Sequence, residues 1–490
     1  MTEISNPAPR TDTVNRRKAL TSTLWSALES GGVTMVSFAS LIIYSRILSP
    51  ADFGLFAMIL AAVELLGLLS NMPFHDALVQ RADIKEEHFD SAFVASLVIS
   101  AALCAGCWLA GPLFVKSAGD PRAGQVLGLL SIGFLFSGSA ATIVARDRRE
   151  FAFKKLALRS LVGRLGGAAI GIVAAFAHMG VWSLVIQQLM MQALGSLILW
   201  ITATKRPSPR LHLAEVRELA IFGAAALGGL FTSFAIKRLL IFSAGIFLGT
   251  STAGYVNIAF RTIDTFWAVT VTAIGQVSLP IMARLQNEPE RLRAAYRTAV
   301  SVACSVLYPA FVGLAVTAPE VIELLFGRKW LPATPYVAML GFLVLLQAPR
   351  LFINPLLTAV GKPGFVLRGY LFGLVYLVCA IAATRLPSPV AVVTVWTGTE
   401  FVYVAAFGYF LRRGAGLSLA DQFGAVRTPL LATLVMAAAV TVTRFEFSAH
   451  LPFALRLAVL AATGIVTYGA VLALIDRRLI GELKKFGRSR

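Results

Sequence analysis

Leu457-Ala-Val-Leu-Ala-Ala-Thr-Gly-Ile-Val-Thr-Tyr-Gly-Ala-Val-Leu-Ala-Leu-Ile475 runs 19 residues without a charge and is followed at once by Asp476-Arg-Arg478. As a helix rising 1.5 Å per residue, such a stretch reaches about 28 Å, close to the hydrocarbon thickness of a bilayer. A helix is also the form that satisfies its own backbone hydrogen bonds there. Working back from this stretch, comparable ones recur to Leu20, separated by short charged connectors. The pattern places spans at 20–45, 54–72, 91–115, 123–145, 158–177, 180–202, 217–247, 255–282, 298–325, 333–358, 366–384, 388–411, 427–443 and 453–475. The fold class is therefore all-α, a polytopic membrane protein of about 14 transmembrane helices.

Composition agrees. Hydrophobic residues make up 57% and charged residues 14% of the 490, against about 25% charged in a soluble domain. Mean hydropathy is +0.76. A formal charge of +19 would suggest nucleic acid in a soluble chain, but the placement of the charge excludes that partner. Of the 44 Lys and Arg, about 31 fall at the termini and in one alternate set of connectors, and about 7 in the other set. The first set includes Arg16 to Lys18, Arg148, Arg149, Lys205, Arg206, Arg293, Arg412 and Arg413; the second includes Arg46, Lys116, Arg328 and Lys329. By the positive-inside rule both termini are cytoplasmic, which an even number of spans also requires. The first 19 residues lack a signal-peptide cleavage pattern, so the first span is expected to stay in the mature protein.

Organisation follows a weak repeat. Shifted by 200 positions, Leu48-Ser-Pro-Ala-Asp-Phe-Gly54 lies over Leu248-Gly-Thr-Ser-Thr-Ala-Gly254, and Glu64 over Asp264. The expected domains are a cytoplasmic tail (1–19), an N-terminal six-helix bundle (20–202), a cytoplasmic linker (203–216) and a C-terminal six-helix bundle (217–411). Two further helices (427–475) and a basic tail (476–490) complete the chain. Six spans per half give both halves one membrane orientation, in a pseudo-two-fold arrangement about an axis along the membrane normal.

The sequence shows no phosphate-binding loop, no metal-ligand cluster and no Ser/His/Asp set, and no connector is long enough to house a catalytic domain. His75, His88, His178, His212 and His450 all read as loop residues, and Cys104 and Cys107 as small residues on an apolar helix rather than a metal or redox pair. The reading is a transporter, not an enzyme, with no cofactor beyond a coupling proton or sodium ion.

Several blocks then carry a family resemblance. Arg46-Ile-Leu-Ser-Pro-Ala-Asp-Phe-Gly-Leu-Phe-Ala57, Arg149-Glu-Phe-Ala-Phe-Lys154, Leu279-Pro-Ile-Met-Ala-Arg-Leu285, Ala318-Pro-Glu-Val-Ile-Glu-Leu-Leu-Phe-Gly-Arg-Lys-Trp330 and Ala359-Val-Gly-Lys-Pro-Gly364 occur in that order. Together they resemble the bacterial polysaccharide transporters, the repeat-unit flippases of the multidrug/oligosaccharidyl-lipid/polysaccharide exporter superfamily. The resemblance implies a flippase of the bacterial cytoplasmic (inner) membrane. Its cargo would be an undecaprenyl-pyrophosphate-linked oligosaccharide, moved to the periplasmic leaflet for exopolysaccharide, capsule or lipopolysaccharide synthesis. A polysaccharide polymerase and chain-length proteins join the implied partners. A small-molecule or drug antiporter of the same superfamily and a peptidoglycan-precursor flippase are the alternatives. One departure stands out: where family members often carry an Asp late in the seventh helix, this chain reads Ala235-Ile-Lys-Arg-Leu-Leu240.

Charges inside spans are costly and tend to face a cavity or a partner, which makes them the site candidates. The basic ones are Arg164, Lys237, Arg238, Arg261, Arg350 and Arg456, whose guanidinium or ammonium groups suit a pyrophosphate; Arg164 and Arg456 read equally well as snorkelling from a helix end. The acidic ones are Asp264, Glu400, Glu64 and Glu29, with Asp264, Glu400 and Glu64 the candidates for ion coupling. Asp264 follows Arg261 by three residues, so an ion pair on one helix face is the competing expectation. Pro309, Pro349 and Pro355 are candidate bends, and the glycines at 166, 167, 171 and 223–229 suit close helix packing.

Overall fold

The computed structural model describes residues 25, 31–81, 83–284, 288–447 and 451–475. The tails at 1–19 and 476–490, Glu29 and His450 lie outside them. Among the described residues the fold is all-α, with no strand. The helices are α1 (Gly31–Ile47), α2 (Pro50–Gln80), α3 (Glu86–Leu109), α4 (Gly111–Ala118), α5 (Ala123–Ser131), α6 (Gly133–Arg149), α7 (Phe153–Phe176), α8 (Val181–Thr202) and α9 (Leu213–Leu248). There follow α10 (Thr250–Arg284), α11 (Pro289–Val316), α12 (Ala318–Phe326), α13 (Thr334–Gln347), α14 (Ile353–Ala359), α15 (Pro363–Thr384), α16 (Pro389–Ala415), α17 (Leu419–Val442) and α18 (Phe453–Ile475). Eleven stretches among the described residues are long and apolar enough to cross a membrane, and α1 is a shorter apolar helix.

The helices run past the hydrophobic limits read from the sequence, because hydropathy marks the bilayer crossing and hydrogen bonding marks the helix end. Thus α2 continues to Gln80, and His75 lies inside it; His88 lies in the first turn of α3. Both histidines are helical, which corrects their reading as loop residues. Helix starts obey local chemistry. Ser418 caps α17 by accepting from the Asp421 amide at 3.2 Å, while the Asp421 carboxylate accepts from the Ser418 amide at 2.8 Å. The candidate bends behave differently. Pro309 sits within a continuous α11, whereas Pro349 lies in a 3₁₀ turn, Ala348–Arg350, that separates α13 from α14.

The chain forms two compact units. The first comprises Met1–Ile47, Val63–Lys116 and Pro121–Leu227, and the second Leu48–Ala62, Ser117–Asp120 and Gly228–Arg490. In the first unit α7 packs closely along α8. A Cβ at Gly163 would fall 2.7 Å from the Met191 carbonyl oxygen, and one at Gly167 would fall 2.7 Å from that of Gln187. Glycine at every fourth position therefore lets the two backbones approach. In the second unit α11 is the centre, packed by α10, α13 and α17, with α18 behind α17. Large apolar side chains such as Leu474, Ile465 and Val466 of α18 are exposed, as expected of a surface solvated by lipid.

Two of the family blocks, 46–57 and 318–330, supply packing contacts in the second unit. A Cβ at Gly54 would collide with the Thr250 carbonyl, and one at Gly254 with the Pro50 carbonyl. The two repeated openings meet reciprocally, position for position at an offset of 200, as a local two-fold contact requires. Buried Trp330 stands edge-on to Phe53 at 5.2 Å and to Tyr255 at 6.0 Å, and Lys329 donates to the Leu48 carbonyl at 2.8 Å.

Connectors assigned to one side of the membrane also touch one another. On the basic side of the first unit, Arg146 and Lys205 share Glu86, at 2.6 and 3.0 Å. In the second unit Arg297 pairs with Asp421 at 2.5 Å, and Lys362 donates to the Arg413 carbonyl at 3.4 Å. The Lys329 to Leu48 contact joins two connectors of the weakly charged set.

Candidate functional site

Four of the sequence candidates of the second unit form two ion pairs. The 3₁₀ turn at Pro349 presents Arg350, whose guanidinium donates to the buried carboxylate of Glu400 on α16. Gln347, one turn earlier, donates to the other oxygen of Glu400 at 2.8 Å. The guanidinium also lies over Tyr403, 5.0 Å from the ring centroid, and 6.0 Å from that of Phe407. Two hydrogen bonds and two aromatic faces offset the cost of holding this charge pair out of water.

Asp264 of α10 pairs with Lys237 of α9 at 2.6 Å. The Lys237 ammonium lies 5.4 Å from the Phe260 ring, which itself meets Trp396 at 4.8 Å. Asp264 thus has a partner 27 positions away, on the neighbouring helix. Lys237, of the basic pair Lys237-Arg238, supplies the cation here. Arg238 and Arg261 occupy the same two helices, each with interactions of its own. Asp264 and Lys237 are half-exposed, so this pair is the looser of the two.

A third cluster escaped the sequence reading. Glu320, in the Ala318–Trp330 block, is buried and holds two arginines, Arg444 at 3.0 Å and Arg456 at 2.8 Å. Arg444 also donates to the Val316 carbonyl at 3.0 Å. Arg456 is therefore an ion-pair partner of α12. With Tyr468 donating to the Ser305 carbonyl at 2.8 Å, this cluster ties α17 and α18 to the rest of their unit.

The first unit is different. Arg164 of α7 lines a cavity of ≈ 360 Å³ together with Val33, Arg159, Ser160, Gly163, Met191, Gln192 and Gly195. A second cavity of ≈ 520 Å³ shares Arg159 and Ser160 with it and adds Arg148 and Arg149. Glu64 lies in this unit's part of α2, apart from the second unit's carboxylates in the chain's division. Arg159 was not among the sequence candidates because it sits at the edge of the fifth span, where it reads as one more basic connector residue. Its spacing of five from Arg164, with Gly163 between, was the available signal. Gln347 and Tyr403 carried no comparable signal, since their roles depend on distant partners, whereas Glu320 is a charge inside the span at 298–325. Among the described residues no group of His, Cys, Asp and Glu could hold a metal ion.

The family model described as polysaccharide biosynthesis protein matches residues 43–335. The chain belongs to this family. Its relatives include the succinoglycan biosynthesis transport protein ExoT of Rhizobium meliloti (strain 1021), 26% identical over 484 residues, 98% of each chain. The lipopolysaccharide biosynthesis protein WzxC of Escherichia coli (strain K12) is 23% identical over 349 residues, 71% of each chain. The solved lipid II flippase MurJ, in an inward closed conformation, shares the fold with a TM-score of 0.75. It is 12% identical, over 94% of this chain and 100% of that one. This member of the polysaccharide biosynthesis family is thus a polytopic membrane protein with the helical fold the sequence implies.

Proposed function

We propose that this family member is a flippase that moves a polyprenyl-pyrophosphate-linked oligosaccharide repeat unit from the cytoplasmic to the periplasmic leaflet, by alternating access. Its product would serve exopolysaccharide, capsule or lipopolysaccharide synthesis. The observation that carries the reading is the family match across residues 43–335 in a chain built of membrane-spanning helices. The physics fits. Each unpaired sugar hydroxyl costs several kcal/mol, on the order of 4–8, to bring into hydrocarbon. A protein that gives the headgroup polar company removes that barrier, and the polyprenyl tail can stay in lipid. Nothing in this cycle calls for covalent chemistry by the protein, so the reading is of a transporter and not an enzyme.

The location that goes with it is the bacterial inner membrane, both termini cytoplasmic. The contacts among same-side connectors support the alternation, and the positive-inside rule supplies its direction. The partners are an undecaprenyl-pyrophosphate-linked oligosaccharide, the bilayer, and a polymerase with chain-length proteins. For coupling, the pairs Lys237–Asp264 and Arg350–Glu400 already balance two carboxylates with two internal cations. That balance favours an ion-pairing role for Asp264 and makes Glu400, released from Arg350, the better candidate to take a coupling proton or sodium ion.

Proteoliposomes test the reading. Purified protein should carry a lipid-linked pyrophosphoryl oligosaccharide from one leaflet to the other, scored by its accessibility to an externally added lectin. Absence of translocation, with efflux of cationic dyes in its place, would instead establish the drug-antiporter alternative.

A further inference from the structure

We propose that the furrow between α15 and α16 binds an anionic glycerophospholipid of the cytoplasmic leaflet. Arg368 and Arg413 hold its phosphate, and one acyl chain lies along an aromatic floor. This lipid is a bound neighbour of the protein and not its cargo, so the inference goes beyond the flippase reading.

The end of α16 meets the start of α15. Lys362, just before α15, donates to the carbonyls of Arg413 at 3.4 Å and Gly414 at 3.3 Å, at the close of α16. Phe407 of α16 occupies the space left by Gly369 of α15, where a Cβ would fall 2.6 Å from its ring, and this keeps the helices close. Beside that contact opens a cavity of ≈ 650 Å³, within the range of ligand sites. Phe365, Arg368 and Phe372 line it from α15, and Ala405, Tyr409 and Arg413 from α16.

Polar and apolar groups are sorted along the furrow. Arg413 lies in the last turn of α16 and donates to the Tyr409 hydroxyl at 2.9 Å, which fixes its fork at the mouth. Arg368 stands about 7.5 Å along α15 from Pro363, its guanidinium 5.9 Å from the Phe365 ring centroid. Farther in come Phe372, Val402 and the two small residues Ala405 and Ala406, which leave room for a chain. From Arg413 to Val402 the helix rises about 16 Å, roughly half the ~30 Å hydrocarbon thickness of a bilayer. The furrow is one leaflet deep. Its floor is built before any lipid arrives: buried Phe410 stacks on Phe365 at 5.0 Å and on Phe372 at 6.3 Å. A rigid floor gives up little entropy when a chain settles on it.

Charge selects the headgroup. Arg368 and Arg413 are exposed, at the end of the helices that the positive-inside rule assigns to the cytoplasm. Basic side chains at that depth attract anionic lipid, and a guanidinium fork matches two oxygens of a phosphodiester. A zwitterionic lipid would bring an ammonium group against the same arginines. The apolar floor in turn excludes a free anion as the natural occupant, since phosphate alone uses none of it.

Native mass spectrometry of the full-length protein tests this, with phosphatidylglycerol and phosphatidylcholine of matched chains added in detergent. Wild type should retain phosphatidylglycerol in preference, and Arg368→Gln with Arg413→Gln should weaken that retention roughly ten- to thirtyfold. Ala405→Trp keeps both charges but fills the furrow, and should weaken retention to a similar degree. Unfolding midpoints in lipid-free detergent check that the variants are folded; should the double arginine variant fail, Ala405→Trp, at an exposed position, carries the test. Equal retention of the two lipids by wild type, or full retention of phosphatidylglycerol by Ala405→Trp, would overturn the proposal. Displacement of the lipid by inorganic phosphate at equal concentration would do the same, marking a free-anion site. So would a wild-type dimer that Ala405→Trp converts to monomer, because the furrow would then be a contact between two copies.

Discussion

The two units differ in what their arginines touch. In the second unit Arg350, Arg444 and Arg456 each come with a buried carboxylate, Glu400 or Glu320, and the charge is spent on holding helices together. In the first unit Arg148, Arg159 and Arg164 line two cavities. The same residue type thus bolts helices together in one place and lines a cavity in the other. An inventory of charges within spans does not separate the two cases; what each side chain touches does.

Breaking a bolt should have the largest effect. Glu320→Ala leaves two guanidinium groups facing each other in a low-dielectric interior and should cost about 3–5 kcal/mol, read as a drop in the unfolding midpoint in detergent. Glu400→Ala should cost a similar amount through Arg350, and the double change Arg350→Leu with Glu400→Leu should return much of it. A double variant as unstable as Glu400→Ala would mean that the pair is not what the fold needs there.

Next in size is the meeting of the repeated openings. Gly254→Ala should cost about 1–3 kcal/mol by forcing α10 from the Pro50 carbonyl. Gly364→Ala in α15, where a Cβ meets nothing within 4 Å, should be neutral or slightly stabilising. Equal midpoints for the two variants would remove the reciprocal contact from the account.

The half-exposed pair Lys237–Asp264 should matter least to stability. Lys237→Gln is expected to change it by about 0.2–1 kcal/mol, because solvent and salt screen the attraction. A loss comparable to that of Glu320→Ala would show this pair to be a bolt as well, and would move the boundary drawn between the two kinds of charge.

The sequence was a good guide to whatever depends on neighbours in the chain. Among the described residues the apolar spans have helical counterparts, and Pro349 does interrupt its helix, because hydrophobic length and proline geometry are local properties. Glycine spacing on the fifth span likewise foretold close packing of α7 on α8. Partnerships across the chain were not legible. The 27 positions between Lys237 and Asp264, or the 124 between Glu320 and Arg444, carry no periodic trace. Glu320 lay inside the most distinctive block, yet a motif names residues without naming what they touch. Arg159 was hidden for another reason: at a span's edge an arginine reports membrane orientation first, and any binding role is masked by it.

The central claim is that the first unit's arginines serve the cargo and the second unit's buried arginines serve the fold. It is tested most directly by measuring translocation and unfolding midpoint on the same proteoliposome-grade preparations of Arg159→Gln and of the Arg350→Leu, Glu400→Leu double variant. The account predicts that Arg159→Gln keeps a wild-type midpoint, within about 0.5 kcal/mol, while translocation of the lipid-linked oligosaccharide falls at least tenfold. The double variant should keep its midpoint while losing the transport that Glu400 couples. Wild-type transport by Arg159→Gln, or a loss of its transport that tracks a collapsed midpoint, would contradict the division.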